Sequence, residues 1–342
     1  MNRKALLIFG LSLIVAFVLV SIFRKDASLK VQQFSGTTMG SIVYHVKYLG
    51  EEGAAGISDT DSVLIAFNQS LSTYIPDSEI SRLNNLGKVK LISPFFLPVL
   101  EASQEVFQKT GGAFDPTVGP LINAWGYGPE KQLPEVDSAM VDSLRKYVGF
   151  DLVQFDSSSV SLLKNQKIDF SAIAKGYAVD LVGELLEKKG IENYLVEIGG
   201  EVRCRGINQE GKSWSLGIED PTVAIDQQEL LAIVRIKDLS LATSGNYRNY
   251  YEQDGKTYAH IIDPRTGYTS QHNLLSASVF AKDCMIADAY ATAFMVVGLE
   301  ASKSIVDNES VEAILIYQDQ TGELKSFVSP GIKPFVELNK TK

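Results

Sequence analysis

The sequence predicts an α+β fold of mixed or antiparallel sheets with flanking helices, preceded by one transmembrane helix at the N-terminus. Three observations lead there. Strand-like segments come in runs interrupted by a few helical ones, whereas a parallel sheet would need regular strand–helix alternation. Residues 5 to 23 are uncharged and mostly apolar. The 342 residues are 45% hydrophobic and 21% charged, the balance of an ordinary globular chain that can bury a sizeable core.

The N-terminal stretch ALLIFGLSLIVAFVLVSIF would rise roughly 28 Å as a helix, close to a bilayer core of about 30 Å. It exceeds the usual apolar length of a cleaved signal, no clear small-x-small site follows, and no cysteine offers a lipid attachment point. The expected division is a signal anchor over 1–27 and one globular domain over 28–342, with a cleaved signal as the alternative. Arg3 and Lys4 precede the segment and Arg24 and Lys25 follow it, so charge alone does not orient it. The free amino terminus and the lack of a later span favour a cytoplasmic-membrane protein whose globular part faces the outside, or periplasm.

Each element has its own signal. From Ile42 to Tyr48 apolar and polar residues alternate, a strand entered through Gly36 and Gly40. A helix is expected from about Asp59 to Ser72. Residues 94–110 have helical spacing and stop at Gly111 and Gly112. The block GGAFDPTVGPLINAWGYG holds too much glycine and proline to be regular, and an acidic connection spans 129–146. Short strands are expected around 152–155 and 160–163. In DFSAIAKGYAVDLVGELLEKKG, Ala174, Ala178, Leu181, Val182 and Leu185 mark a helical face that Gly190 ends. Strands follow in NYLVEIGGEVRCRG, WSLGIED, LAIVRIKDLSLATSG, NYYEQDGKTYAHIID and LLSASVFA. A helix over 284–297 returns Ile286, Ala289, Ala293 and Val296 to one face, stops at Gly298, and precedes the strand EAILIYQ and a final strand pair.

The net charge of −9 argues against a general nucleic-acid binder, which would show a basic surface. Cys204 and Cys284 are the only cysteines; two inert buried thiols are expected, although an oxidising compartment would let them pair. The histidines, His45, His260 and His272, form no close pair, and there is no CxxC, which argues against zinc or iron. A bound metal should be hard, Mg²⁺ or Ca²⁺ on oxygen ligands.

Several stretches carry candidate chemistry. Asp288 and Thr292 are four apart, so a helix puts them on one side. A buried unpaired carboxylate needs a partner or a metal; spacing alone favours the plainer reading, a solvent-facing or salt-bridged Asp and a Thr bonded back to its helix. Tyr74 in STYIPDSEISRLN is a stacking surface or a packing residue, and Ser78 reads as a helix cap. Asp115 stands before Pro116 in a loop whose backbone can approach a ligand, or in an elaborate turn. Asp169 near a helix start, with Lys175 in the first turns, is a weak phosphate-site signal. Ser244, Arg248, His260, Asp263, Arg265 and Thr266 cluster around two turns, and a lone His260 in a strand is more often structural.

Taken together, GTTMGSIVYHVKY, STYIPDSEISRLN, GGAFDPTVGPLINAWGYG, DFSAIAKGYAVD, YLVEIGGEVRCRG, ATSGNYRNYYEQDGKTYAHIIDPRTGY and ADAYATAF resemble, in order, the ApbE family of FAD:protein FMN transferases. The resemblance covers nearly the whole chain after the anchor and implies an ApbE-type, T-fold-like architecture. It implies that the FMN half of FAD passes to a threonine or serine hydroxyl of a target protein, that Mg²⁺ assists, and that AMP leaves. An in-line attack on phosphorus asks the protein mainly for charge neutralisation and positioning.

The same resemblance assigns roles. Asp288, Thr292 and the Ala172 carbonyl would be the metal ligands. Met39, Tyr74, Ala113, Phe114, Asp115, Asp169, Lys175 and Ile262 would contact FAD. His260 would assist removal of the acceptor proton, a task Asp288 could share. The acceptors it implies are exported or membrane flavoprotein subunits, such as those of sodium-pumping NADH:quinone reductase or Rnf-type complexes. Many family members carry a lipid-attachment cysteine after the signal; this chain has none, so anchoring by the helix itself is inferred. A Mg²⁺-dependent FAD pyrophosphatase releasing FMN and AMP, or a flavin-binding protein without turnover, are the competing readings.

Overall fold

The computed structural model describes residues 30–126, 136–223, 229–245, 250–253, 256–259, 261–270 and 272–339. The expected anchor over 1–27, as well as Arg248 and His260, lies outside them. No helix among the described residues is long and apolar enough to cross a membrane.

The chain opens with a hairpin of β1 (Lys30–Thr38) and β2 (Ile42–Gly50), turning at Met39 and Gly40, whose φ angles are +48° and +87°. Only β2 is expected from the sequence, because β1 carries few apolar residues and is held by pairing. Then come α1 (Ile57–Leu71), α2 (Glu79–Leu86), β3 (Lys88–Lys90) and α3 (Phe96–Lys109). Ser78 caps α2 as expected, its hydroxyl accepting from Ser81 N at 3.1 Å.

Two helices stand where irregular chain is expected: α4 (Gly119–Ala124) in the glycine-rich block and α5 (Ser138–Arg145) in the acidic connection. Asp137 caps α5, its carboxylate accepting from Met140 N at 2.7 Å. After β4 (Gln154–Phe155) and β5 (Ser159–Ser161) come α6 (Ala174–Lys188), β6 (Tyr194–Ile198), β7 (Glu201–Arg205), β8 (Trp214–Glu219), β9 (Leu230–Ile236) and β10 (Leu239–Gly245). The pair β11 (Tyr250–Gln253) and β12 (Lys256–Ala259) precedes β13 (Leu274–Ala281), α7 (Cys284–Val297), α8 (Leu299–Asn308), β14 (Glu312–Gln318), β15 (Leu324–Val328) and β16 (Val336–Leu338). The expected final pair is not a pair: β15 joins β14, and β16 joins β9.

One antiparallel sheet, ordered β1-β2-β6-β7-β10-β13-β14-β15, divides the molecule. The alternation of β14 displays the layering. Ala313 and Leu315 join a core with α1, α3, α6 and α7, whereas Ile314 and Ile316 join a second core under the small sheet β16-β9-β8. A strand buried on both faces reads as an unbroken apolar run, which EAILIYQ is. Cys204 and Cys284 are buried free thiols in different cores.

Candidate functional site

The site is built where α6 crosses α7, and a glycine makes the crossing possible. A Cβ on Gly176 would come within 2.8 Å of Asp288 Cβ and closer still to the Cys284 carbonyl. Gly176 is the third residue of α6, so its N–H is one of those a helix start leaves free. It donates to Asp288 Oδ2 at 2.9 Å. Asp288 thus meets the positive end of α6 while only 3% exposed.

One turn along α6, Asp180 secures the crossing. Its two carboxylate oxygens accept from Cys284 N at 2.9 Å and Met285 N at 2.8 Å, while Arg203 Nη1 donates to it at 2.8 Å. These are the N–H groups at the start of α7, which the side chain of Asp283 leaves uncapped. Burial pushes the Asp180 carboxyl up to about 6 against the opposing pull of Arg203 and the two N–H groups, so it is ionised at neutral pH.

Lys175, the second residue of α6, donates from Nζ to Glu201 Oε1 at 2.5 Å. Burial alone would push this ammonium down; the Asp288 and Glu201 carboxylates outweigh it and raise its proton affinity. Burial, then the Asp288 charge, pushes Glu201 up to about 7. Burial likewise raises Asp288, opposed by Lys175 and the Gly176 N–H.

A cavity of about 690 Å³ opens over this cluster, within the range of small-molecule sites. Its walls are the loop 113–118, the approach to α6, the β6–β7 turn, β8, the end of β10, the segment 261–264 and α7. Of the expected site residues, Ala113, Phe114, Asp115, Asp169, Ala172, Lys175, Ile262, Asp288 and Thr292 all line it. Asp169 is not in the helix: α6 starts at Ala174, and Asp169 lies in the preceding turn with Oδ1 accepting from Ser171 N at 2.7 Å. Its own N–H donates to Pro116 O at 2.7 Å, which ties this turn to the loop of Asp115. The Asp115 carboxylate is taken up by that loop, accepting from Thr117 N at 2.8 Å and Thr117 Oγ1 at 2.6 Å. Burial pushes it up to about 6.

Met39 and Tyr74 do not line the cavity. Met39 is half-buried in the β1–β2 turn, and Tyr74 is 76% exposed after α1. Asn68 Nδ2 donates to Thr38 Oγ1 at 3.0 Å and links the two segments. Ser244 lines the cavity with its hydroxyl 3.4 Å from Thr292 Oγ1. Asp263 and Arg265 pair with each other at 2.8 Å. Glu201 was not singled out from sequence; its signal is a charged residue directly after Gly199 and Gly200, at a strand start.

The donors suit a hard cation. A carboxylate, a hydroxyl and a backbone carbonyl are all oxygen ligands, and the Asp288 carboxylate receives one hydrogen bond among the described residues. No trio of His, Cys, Asp or Glu gathers among those residues, so the chain alone supplies only part of a coordination shell. Water, or a ligand that brings its own oxygens, would complete it.

The ApbE family profile matches residues 36–315. The FAD:protein FMN transferase of Vibrio cholerae is 38% identical over 311 residues, spanning 88% of this chain and 92% of the relative. That of Haemophilus influenzae is 36% identical over 345 residues, spanning 96% and 98%. The solved flavin transferase ApbE from Vibrio cholerae superposes with a TM-score of 0.80 at 36% identity, over 90% of this chain and all but 1% of that one, which it covers to 99%. The apo flavinyl transferase ApbE of Pseudomonas stutzeri gives 0.80 at 31% identity, over 90% and 97%. Profile, sequence and fold agree on one conclusion: the chain belongs to the ApbE family.

Proposed function

We propose that the chain is a FAD:protein FMN transferase that uses Mg²⁺, moves the FMN half of FAD onto a threonine or serine hydroxyl of a flavoprotein, and releases AMP. The observation that carries this reading is the buried Asp288 carboxylate set against Lys175 and the N-terminus of α6, in a cavity with room for a nucleotide. Relatives named for this activity match over most of their length.

Bound there by Asp288, Thr292 and the Ala172 carbonyl, Mg²⁺ would neutralise charge on the pyrophosphate. Lys175 and the positive end of the α6 dipole attract phosphate oxygens to the same place. Ala113, Phe114 and Ile262 offer apolar wall for the flavin or adenosine. Asp115 and Asp169 shape the loop against which these rest. Met39 and Tyr74 would reach the substrate from the adjoining turns.

The acceptor hydroxyl oxygen bonds to the FMN phosphorus while the bond from that phosphorus to the bridging oxygen breaks. AMP leaves with the bridging oxygen, and the hydroxyl proton passes to a base. His260 is the candidate base, with Asp288 able to share the task. We further propose an N-terminal helix in the cytoplasmic membrane, a catalytic domain on its outer side, and exported subunits of the sodium-pumping NADH:quinone reductase or Rnf type as acceptors.

Incubation of the full chain with FAD, Mg²⁺ and such an acceptor should give a covalent FMN adduct and one AMP per adduct. Free FMN with AMP and no adduct would turn the reading to hydrolysis of FAD. Neither product would sink it.

A further inference from the structure

A second carboxylate shares the cavity with Asp288, and one of its oxygens has no hydrogen-bond partner among the described residues. Glu201 is 2% exposed, its Oε1 takes the Lys175 ammonium, and its Oε2 is buried without a hydrogen-bond partner among the described residues. Leaving such an oxygen unsatisfied costs roughly 1–3 kcal/mol, more for a charged group. Folds seldom keep that cost without a partner that arrives later.

The backbone holds the carboxylate there. Glu201 opens β7 after Gly199 and Gly200, whose φ angles are +60° and +102°, both in the region that favours glycine. A Cβ on Gly199 would stand 2.8 Å from Ile42 Cγ2, so the turn is packed against β2 and cannot simply drift. Its position is 3.8 Å from both Glu201 Oε2 and Lys175 Cδ, so the two side chains pack against the same glycine, and both residues line the cavity.

Charge points the same way. Two carboxylates, Asp288 and Glu201, act on each other and on one ammonium, Lys175, in a space largely closed to water. The cluster sets two carboxyl groups against one ammonium, an oxygen-rich place that a cation suits. Neither Lys175, whose Nζ is on Oε1, nor Gly176, whose N–H is on Asp288, answers Oε2.

We propose that Glu201 is a further part of the cation site, its Oε2 accepting from the hydration water that a bound Mg²⁺ retains. The proposal rests on the reading of this cavity as a Mg²⁺ site, and it adds a residue that acts on the ion besides Asp288, Thr292 and Ala172. Mg²⁺ dehydrates reluctantly and keeps several waters, so a carboxylate near the ion serves through them. Removing such an outer partner lowers metal affinity by about 10- to 100-fold. The rival role is that Glu201 only positions Lys175 for the phosphates.

The test uses the full chain and the Glu201→Gln variant, which keeps the shape and loses the charge. Calorimetric titration with Mg²⁺ in the absence of flavin should show affinity weakened by about 10- to 100-fold. FAD binding with the metal chelated should not weaken, since losing the Glu201 charge frees the Lys175 ammonium it holds and removes one repulsion of the phosphates. Thermal melting of both proteins in chelator establishes that the variant is folded, and Mg²⁺ should raise the melting point of the wild type more. Unchanged Mg²⁺ affinity in Glu201→Gln overturns the proposal. So does a loss confined to metal-free FAD binding, which would leave Glu201 as a positioning residue for Lys175. Wild-type chain that takes up no Mg²⁺ without flavin also overturns it, while FMN transfer measured separately decides the proposed activity.

Discussion

Asp180 and Asp288 are buried carboxylates at the same helix crossing, and their surroundings differ in one respect. Asp180 is answered by Arg203 and by the N–H groups of Cys284 and Met285, so every direction it faces is occupied. Asp288 is answered by the Gly176 N–H, and its other side belongs to the cavity. A carboxylate with all its partners inside the fold holds the fold together. One that is left short of partners is set for something that comes from outside. The two contacts stand one turn apart on α6: Asp180 locks α6 to α7, and the locked crossing holds Asp288 at the Gly176 N–H.

Replacing Asp288 tests the cavity side of this contrast most severely. Asp288→Ala should lower FMN transfer by about 10³-fold, since the one carboxylate among the proposed Mg²⁺ ligands is removed. Its free energy of unfolding in urea should change by no more than about 1 kcal/mol, the worth of one hydrogen bond. Transfer at the wild-type rate would remove Asp288 from the mechanism.

Asp180→Ala should reverse that pattern. It strands two helix N–H groups in the interior and leaves Arg203 with Glu187, at roughly 3 kcal/mol of stability. Urea unfolding would read this loss, and transfer per folded molecule should fall much less than in Asp288→Ala. Equal losses of activity in the two variants would erase the distinction between the carboxylates.

Gly176→Ala joins the two ends, because the added methyl meets the Cys284 carbonyl and Asp288 Cβ. Overpacking of this kind costs about 1–3 kcal/mol. The melting temperature should drop, and Mg²⁺ affinity should fall with it as Asp288 is displaced from the N–H.

The same carboxyl groups also set a pH dependence. Asp115 and Asp180 sit at about 6 in the fold against an ordinary 3.8, and Glu201 at about 7 against 4.5. A carboxyl raised by folding keeps its proton longer when folded. Its contribution to stability is therefore complete below its ordinary value and disappears as pH rises through the folded value. These groups should make the metal-free chain progressively less stable from about pH 4 to pH 7. Mg²⁺ should offset the upper part of that loss, where Glu201 ionises, and leave the Asp115 and Asp180 part in place. Chemical unfolding at stepped pH, with and without Mg²⁺, measures both.

The helix carrying Asp288 was legible residue for residue, since its apolar face and Gly298 stop are local signals. The helix of Lys175 was legible in its body but not at its start, because the turn of Asp169 is held by Ser171 N and Pro116 O rather than by helical spacing. β1, α5 and α8 left weak traces: β1 is a polar edge strand, α5 buries only Val141, and α8 is short and mostly polar. The order of motifs was enough to name the family. It was not enough to find Glu201, whose isolation appears only when β7 is brought beside α6.

By itself the sequence determined the periodicities, the glycines that permit close approach, and the motif set that identifies an ApbE chain. Those are properties of near neighbours along the chain, where helix and strand geometry repeats every few residues. Only the tertiary structure decided which buried carboxylate is satisfied and which is left open. Asp180, Lys175 and Gly176 meet Met285, Glu201 and Asp288 across separations of 105, 26 and 112 residues. No local pattern encodes those meetings; packing of α6 against α7 and the sheet does, because an interior admits few arrangements that leave no void.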